Sequence, residues 1–167
     1  IEAKVGVFIT SLYGFDLRNQ SYNVTFWAWF IHNSKEYKPD TSTEIVNAHS
    51  YNKDNSVTEA TGKVIWAQVR FTAKVAHNWD ISNFPFDHQT LQFFLEDTLD
   101  ESGIKYIAMV KTPDGKVTKY KIPEAIDQGI TLHCEFSPGG QLKIDINSAF
   151  PVNKYPPNTA YYLIAHS

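Results

Sequence analysis

Trp79-Asp80-Ile81-Ser82-Asn83-Phe84-Pro85-Phe86-Asp87-His88-Gln89-Thr90-Leu91 sets a proline between two aromatics and follows them with a carboxylate. Pro85 fixes its own φ and biases Phe84 toward extended geometry, so both rings can be buried while Asp87 turns the chain into the next strand. A carboxylate set between two aromatic-rich segments needs donors, so Asp87 is expected to be at least partly buried and hydrogen-bonded.

On both sides of this stretch, strands are expected nearly everywhere. Residues 4–10, 21–30 and 63–71 before the stretch, and 90–95, 104–110, 141–146 and 160–164 after it, are rich in β-branched and aromatic residues. Clusters of turn-forming residues separate them at 15–20, 52–56, 112–115, 137–140 and 156–158. No window of a dozen residues keeps helical periodicity with caps, which predicts an all-β antiparallel sandwich.

Composition bounds what this sandwich can do. A chain of 167 residues with 43% hydrophobic and 14% aromatic content can bury one sizeable core, so residues 1–167 are expected to form a single domain. The net charge of -3 and the absence of a Lys/Arg block argue against a nucleic-acid partner. Cys134 is the only cysteine, which excludes an intrachain disulfide and a multi-cysteine zinc site. There is no signal-peptide pattern and no apolar run approaching the ~20 residues that span a bilayer.

Enzymatic readings find no support. The six histidines at 32, 49, 77, 88, 133 and 166 show neither a two-His helical spacing nor a neighbouring cysteine cluster. His133 and Cys134 are adjacent, so on a strand they face opposite sides and cannot form a nucleophile-base pair. No phosphate-binding glycine loop or nucleophile elbow is present. No catalytic residue, metal or cofactor is therefore expected. The N-x-S/T triplets at Asn19 and Asn23 lie in or beside a strand and read as chance matches.

The run Phe84-Pro85-Phe86-Asp87-His88-Gln89 resembles the F-P-F-D-x-Q signature loop of pentameric ligand-gated ion channels, and the resemblance continues along the chain in order. Residues 5–13, the turn carrying Asp16, and residues 22–30 look like the first two strands of such an ectodomain. Residues 63–75 look like its central hairpin strands, and Tyr161-Tyr162-Leu163-Ile164-Ala165-His166-Ser167 like its last strand. The two cysteines that close the loop in animal members fall here on His77 and Leu91, so the likeness is to prokaryotic members.

The resemblance implies an immunoglobulin-like sandwich of the neurotransmitter-gated channel type, on the extracellular or periplasmic face of the membrane. It implies self-association into a homopentamer, with a membrane domain after residue 167. A small ligand, with a cationic amine as one class, would bind at subunit interfaces and shift a closed-open equilibrium. Asp16, Phe84, Pro85, Phe86, Asp87 and His166 would couple the domain to the membrane. His166 stands where channels usually carry an Arg, which would make that coupling weaker or pH-dependent. The segment from Phe30 to Val46 is shorter than in channel relatives, and Thr98 falls where many place an aromatic. Those departures favour an alternative, a periplasmic sensor or binding module of the same fold with a different output.

The resemblance also nominates a ligand site. Trp27 matches the strand position that supplies an aromatic wall to the neighbouring subunit, and Trp29 shares its face because strand side chains alternate. The competing expectation for both is a sandwich core or a buried interface. Ile65 and Ala67 are expected on that same face, with Trp66 turned into the core. The principal side would bring Glu96, Asp97 and Thr98 together with Phe150, Tyr155 and Tyr161. Aromatics with a carboxylate suit an ammonium group. The acidic run 96–101 reads either as oxygen ligands for a hard cation or, more simply, as a solvated turn.

Overall fold

The computed structural model describes residues 2–80, 82, 90–98, 105–108, 130–136, 141–148 and 161–164. Phe84, Pro85, Phe86 and Asp87, with Phe150, Tyr155 and His166, lie outside the described residues. In chain order the elements are β1 (Glu2–Asp16), β2 (Ser21–His32), α1 (Pro39–Ser42), β3 (Thr43–Ile45), β4 (Ala48–Thr61) and β5 (Val64–Ala76). There follow β6 (Thr90–Asp97), β7 (Lys105–Ala108), β8 (Ile130–Phe136), β9 (Leu142–Ser148) and β10 (Tyr161–Ile164).

These strands form the expected all-β sandwich. One sheet runs β10-β1-β2-β5-β4 and the other β3-β6-β9-β8. The free side of β1 is shared, with β10 antiparallel to Gly6–Ile9 and β7 parallel to Glu2–Val5. All other pairings among the described residues are antiparallel.

Period-two alternation decides what lies between the sheets. Tyr22, Val24, Phe26, Ala28 and Phe30 of β2 point inward with Val69, Phe71, Ala73 and Val75 of β5. Leu91, Phe93 and Leu95 of β6 and Leu142, Ile144 and Ile146 of β9 meet them from the second sheet. At the centre the cross-strand pair Phe26 and Phe71 stacks at 5.0 Å and 12°, and Phe93 packs on Phe26 at 4.7 Å. Burying each such ring contributes about 1.5–3 kcal/mol.

The chain changes sheets between β3 and β4, and Asn47 holds that corner. Its Nδ2 donates to the Gln92 carbonyl at 3.0 Å and its Oδ1 accepts from the Phe94 amide at 3.1 Å. Its own carbonyl accepts from Ala76 at the end of β5. A single side chain and its backbone thus tie the two sheets together.

One turn expectation fails here. Residues 52–56, read as a connection, lie inside β4, where Asn52, Lys53 and Asp54 pair with Thr72, Phe71 and Arg70. β4 lies at the end of its sheet and is largely exposed, so it needs no apolar alternation. The turn-forming residues mark a bulge instead: Asn55 has φ 51° and the register shifts between Asp54 and Val57. The hairpin actually turns at Gly62, whose φ of 64° suits a residue without a side chain.

Candidate ligand-binding face

Trp27 and Trp29 alternate with the inward residues of β2 and stand half-buried on the outer face of the larger sheet, so neither belongs to the sandwich core. Phe8 of β1 pairs with Trp27, and Gly6 pairs with Trp29. The indole of Trp29 fills the space over Gly6: a Cβ there would stand 2.1 Å from Cε2. On the other flank Trp27 pairs with Arg70 and Trp29 with Gln68 of β5. Phe8, Trp27, Trp29 and Gln68 together line a shallow cleft of about 370 Å³.

The cleft has its own electrostatics. The Arg70 guanidinium lies 5.7 Å from the Trp27 ring centroid, within cation–π range. Its Nε and Nη2 donate to Oδ1 and Oδ2 of Asp54, both at 2.8 Å, a two-point pairing of planar groups. Those hydrogen bonds hold the Asp54 carboxyl below the usual carboxylate range and raise the guanidinium further. Both side chains are well exposed, so the pair fixes geometry more than it stabilises the fold.

Ile65 and Ala67 do not share this face. They pair with His32 and Phe30 and are buried on the inner side, while Trp66 projects outward and pairs with Ile31. The parity of β5 is set by Val69, Phe71, Ala73 and Val75, four inward apolar residues whose alternation carries back to Ala67 and Ile65. The bulk of Trp66 does not override that parity. The residues that join Trp27 and Trp29 are therefore Phe8, Trp66, Gln68, Arg70 and Asp54, of which alternation about Val69 would have found Trp66, Gln68 and Arg70.

The acidic run is not a solvated turn along its described part. Asp97 continues the inward face of Leu91, Phe93 and Leu95 and is 6% exposed. Its Oδ2 accepts from Tyr37 Oη at 2.7 Å and from Ser42 Oγ at 2.8 Å. The Thr98 amide donates to the Ser42 carbonyl. Asp97 is thus a brace that fastens the segment between β2 and β3 to the end of β6. Glu96 faces outward, half-buried, and accepts from Gln141 Nε2 at 2.8 Å; Thr98 is exposed. Tyr161 begins β10 opposite Ile9, on a different sheet from Glu96. Among the described residues no three His, Cys, Asp or Glu side chains are grouped to hold a metal ion.

The opposite end of the larger sheet joins the β1–β2 turn to the start of the opening stretch. Asp16 accepts from the Asn19 amide at 3.0 Å and from Asn19 Nδ2 at 2.8 Å, bonds that close the turn and lower its carboxyl below the usual range. Gln20, at φ 52°, then takes two amides: His77 donates to its carbonyl and Trp79 to its Oε1, both at 2.9 Å. The Trp79 indole donates to the Ser21 carbonyl at 3.2 Å and packs edge-on against Phe15 at 5.8 Å. Asp16 therefore belongs to a turn locked onto residues 77–79.

No protein-family model matches the chain, and no curated protein matches it.

Proposed function

We propose that the chain is the ligand-binding ectodomain of a bacterial-type pentameric ligand-gated ion channel, taking a small ligand at subunit interfaces on the extracellular or periplasmic side of the membrane. The observation that carries this reading is the cleft of Phe8, Trp27, Trp29 and Gln68 on the outer face of the larger sheet. A sheet face bearing half-exposed Trp27, Trp29 and Trp66 is a surface suited to a partner, and in the proposed ring that partner is a second copy of the chain.

A small ammonium ligand is the class that fits. Trp27 already accepts a cation on its ring from Arg70, with the Asp54 carboxylate beside it. A ligand cation would take the place of the guanidinium between ring and carboxylate. The turn carrying Asp16, bonded to His77 and Trp79 through Gln20, supports the coupling part of the reading. A ligand shifts an equilibrium only through contacts that differ between the two states, and two loops hydrogen-bonded at one end of a rigid sandwich can carry such a difference.

Titration of the assembled protein with small amines, followed by tryptophan fluorescence, tests the site. A saturable response should disappear in Trp27→Ala while circular dichroism stays that of the parent. A response that survives the substitution would overturn the assignment of the cleft.

A further inference from the structure

A larger cavity, of about 700 Å³, lies at the end of the sandwich where β2 finishes and β5 begins, away from the turn that holds residues 77–79. One wall is the segment 33–41 and the other is the tip of the β4–β5 hairpin. Its volume falls in the range of small-molecule sites.

The lining divides by chemistry. Ile65 and Ala67 form an apolar floor, joined by the buried Tyr37 and Pro39. Lys35, Lys38 and Lys63 stand exposed on the lining, and none of the three is ion-paired among the described residues. The one carboxylate of the lining, Asp40, is engaged by the Ser56 hydroxyl. The lysine-bearing wall is also held from behind. Tyr37 and Ser42 donate to Asp97, and the Lys53 ammonium donates to the Thr41 carbonyl at 2.7 Å.

Three ammonium groups from two separate segments are thus gathered around one cavity with an apolar floor, against a single occupied carboxylate. Like charges brought together beside a low-polarity surface raise the local potential and favour a counter-ion there. We propose that this cavity binds a small amphipathic anion, an apolar body carrying one carboxylate or phosphate group. The body rests on Ile65, Ala67 and Tyr37, and the anion lies among Lys35, Lys38 and Lys63. The site is intact within one chain and does not depend on the interface reading.

Isothermal titration calorimetry of the 167-residue chain with benzoate, phenyl phosphate, inorganic phosphate and benzylamine tests the proposal. Benzoate, phenyl phosphate or both should bind saturably, their relative affinity distinguishing a carboxylate from a phosphate head. Inorganic phosphate, lacking the apolar body, should give no saturable heat, and benzylamine, carrying the opposite charge, should give none in Trp27→Ala, where the cleft proposed for amines is removed. The double variant Lys38→Gln/Lys63→Gln should weaken binding by about tenfold, the size expected for two exposed ion pairs. Ala60→Leu, at an exposed lining position, should block binding without changing any charge, while Trp27→Ala should leave it intact. No saturable heat with either aryl anion would overturn the proposal. So would aryl-anion binding that survives both cavity variants, an equal response to inorganic phosphate, an equal response of Trp27→Ala to benzylamine, or loss of aryl-anion binding in Trp27→Ala.

Discussion

Trp29 occupies the volume that a side chain at Gly6 would need. The two residues are paired across β1 and β2, and Gly6 is required by its neighbour, since its backbone is ordinary extended strand. Gly6→Ala should push the indole out of the cleft and cost about 1–3 kcal/mol, as overpacking does. Denaturation with tryptophan emission as the readout checks this. An unchanged midpoint together with unchanged emission would mean that the ring has room to spare.

Asn47 should be the most sensitive polar residue of the sheet corner. Asn47→Ala strips the Phe94 amide of its side-chain acceptor and removes one of the two donors to the Gln92 carbonyl, the other being Tyr22 Oη. The expected cost is about 1–3 kcal/mol in a urea melt, dominated by the donor left unpaired. Asn47→Asp keeps the acceptor but sets an anionic oxygen against a carbonyl, so it should not rescue. Parent-like stability in the alanine variant would show that water replaces the side chain without loss.

How far the fold could be read in advance depended on burial. β2 and β6 were legible because their inward residues are apolar and the register is continuous, and the outward placement of Trp27 and Trp29 follows from Phe26, Ala28 and Phe30. β4 was not legible, because an edge strand exposed along most of its length carries little apolar alternation, and its bulge at residues 54–57 reads locally as a turn. The Arg70–Asp54 pair depends on the hairpin register that this bulge sets, 16 residues apart in the chain. Asp97 misled for a different reason. Alternation points it inward, but its donors Tyr37 and Ser42 lie 60 and 55 residues earlier, and no local signal announces them.

The brace at Asp97 predicts local loosening. Tyr37→Phe removes a hydroxyl donor to a buried carboxylate and should destabilise by about 1–3 kcal/mol. Hydrogen exchange should accelerate at residues 33–42 more than at the centre of β2, because that segment is what the brace holds. Uniform acceleration across the domain would contradict a local role.

His32 should make stability depend on pH near neutrality. It is 5% exposed, its Nδ1 accepts from the Ser34 amide at 3.3 Å, its ring packs edge-on against Tyr37 at 4.9 Å, and its Nε2 is buried without a partner. Burial lowers its pKa from the ordinary 6.5, against weaker opposing contributions from the Ser34 bond and from Asp40. The unfolded chain then binds a proton that the folded chain refuses. Stability should fall as pH drops below 6.5 and level off once the folded-state value is passed. The depressed carboxyls of Asp16, Asp54 and Asp80 act in a separate window, their stabilisation being lost as pH falls below 3.8 and through their folded values. Urea midpoints between about pH 5 and 8 should flatten in His32→Phe, and an unaltered slope would assign the titration to another group.

In the proposed ring, subunits meet across the aromatic face. Sedimentation in detergent of the protein together with whatever its gene encodes after Ser167 measures the number of chains directly. A single species of five chains is expected, with a Trp66→Asp substitution on the outer face shifting it toward smaller assemblies. A stable dimer or monomer in the parent protein would contradict it.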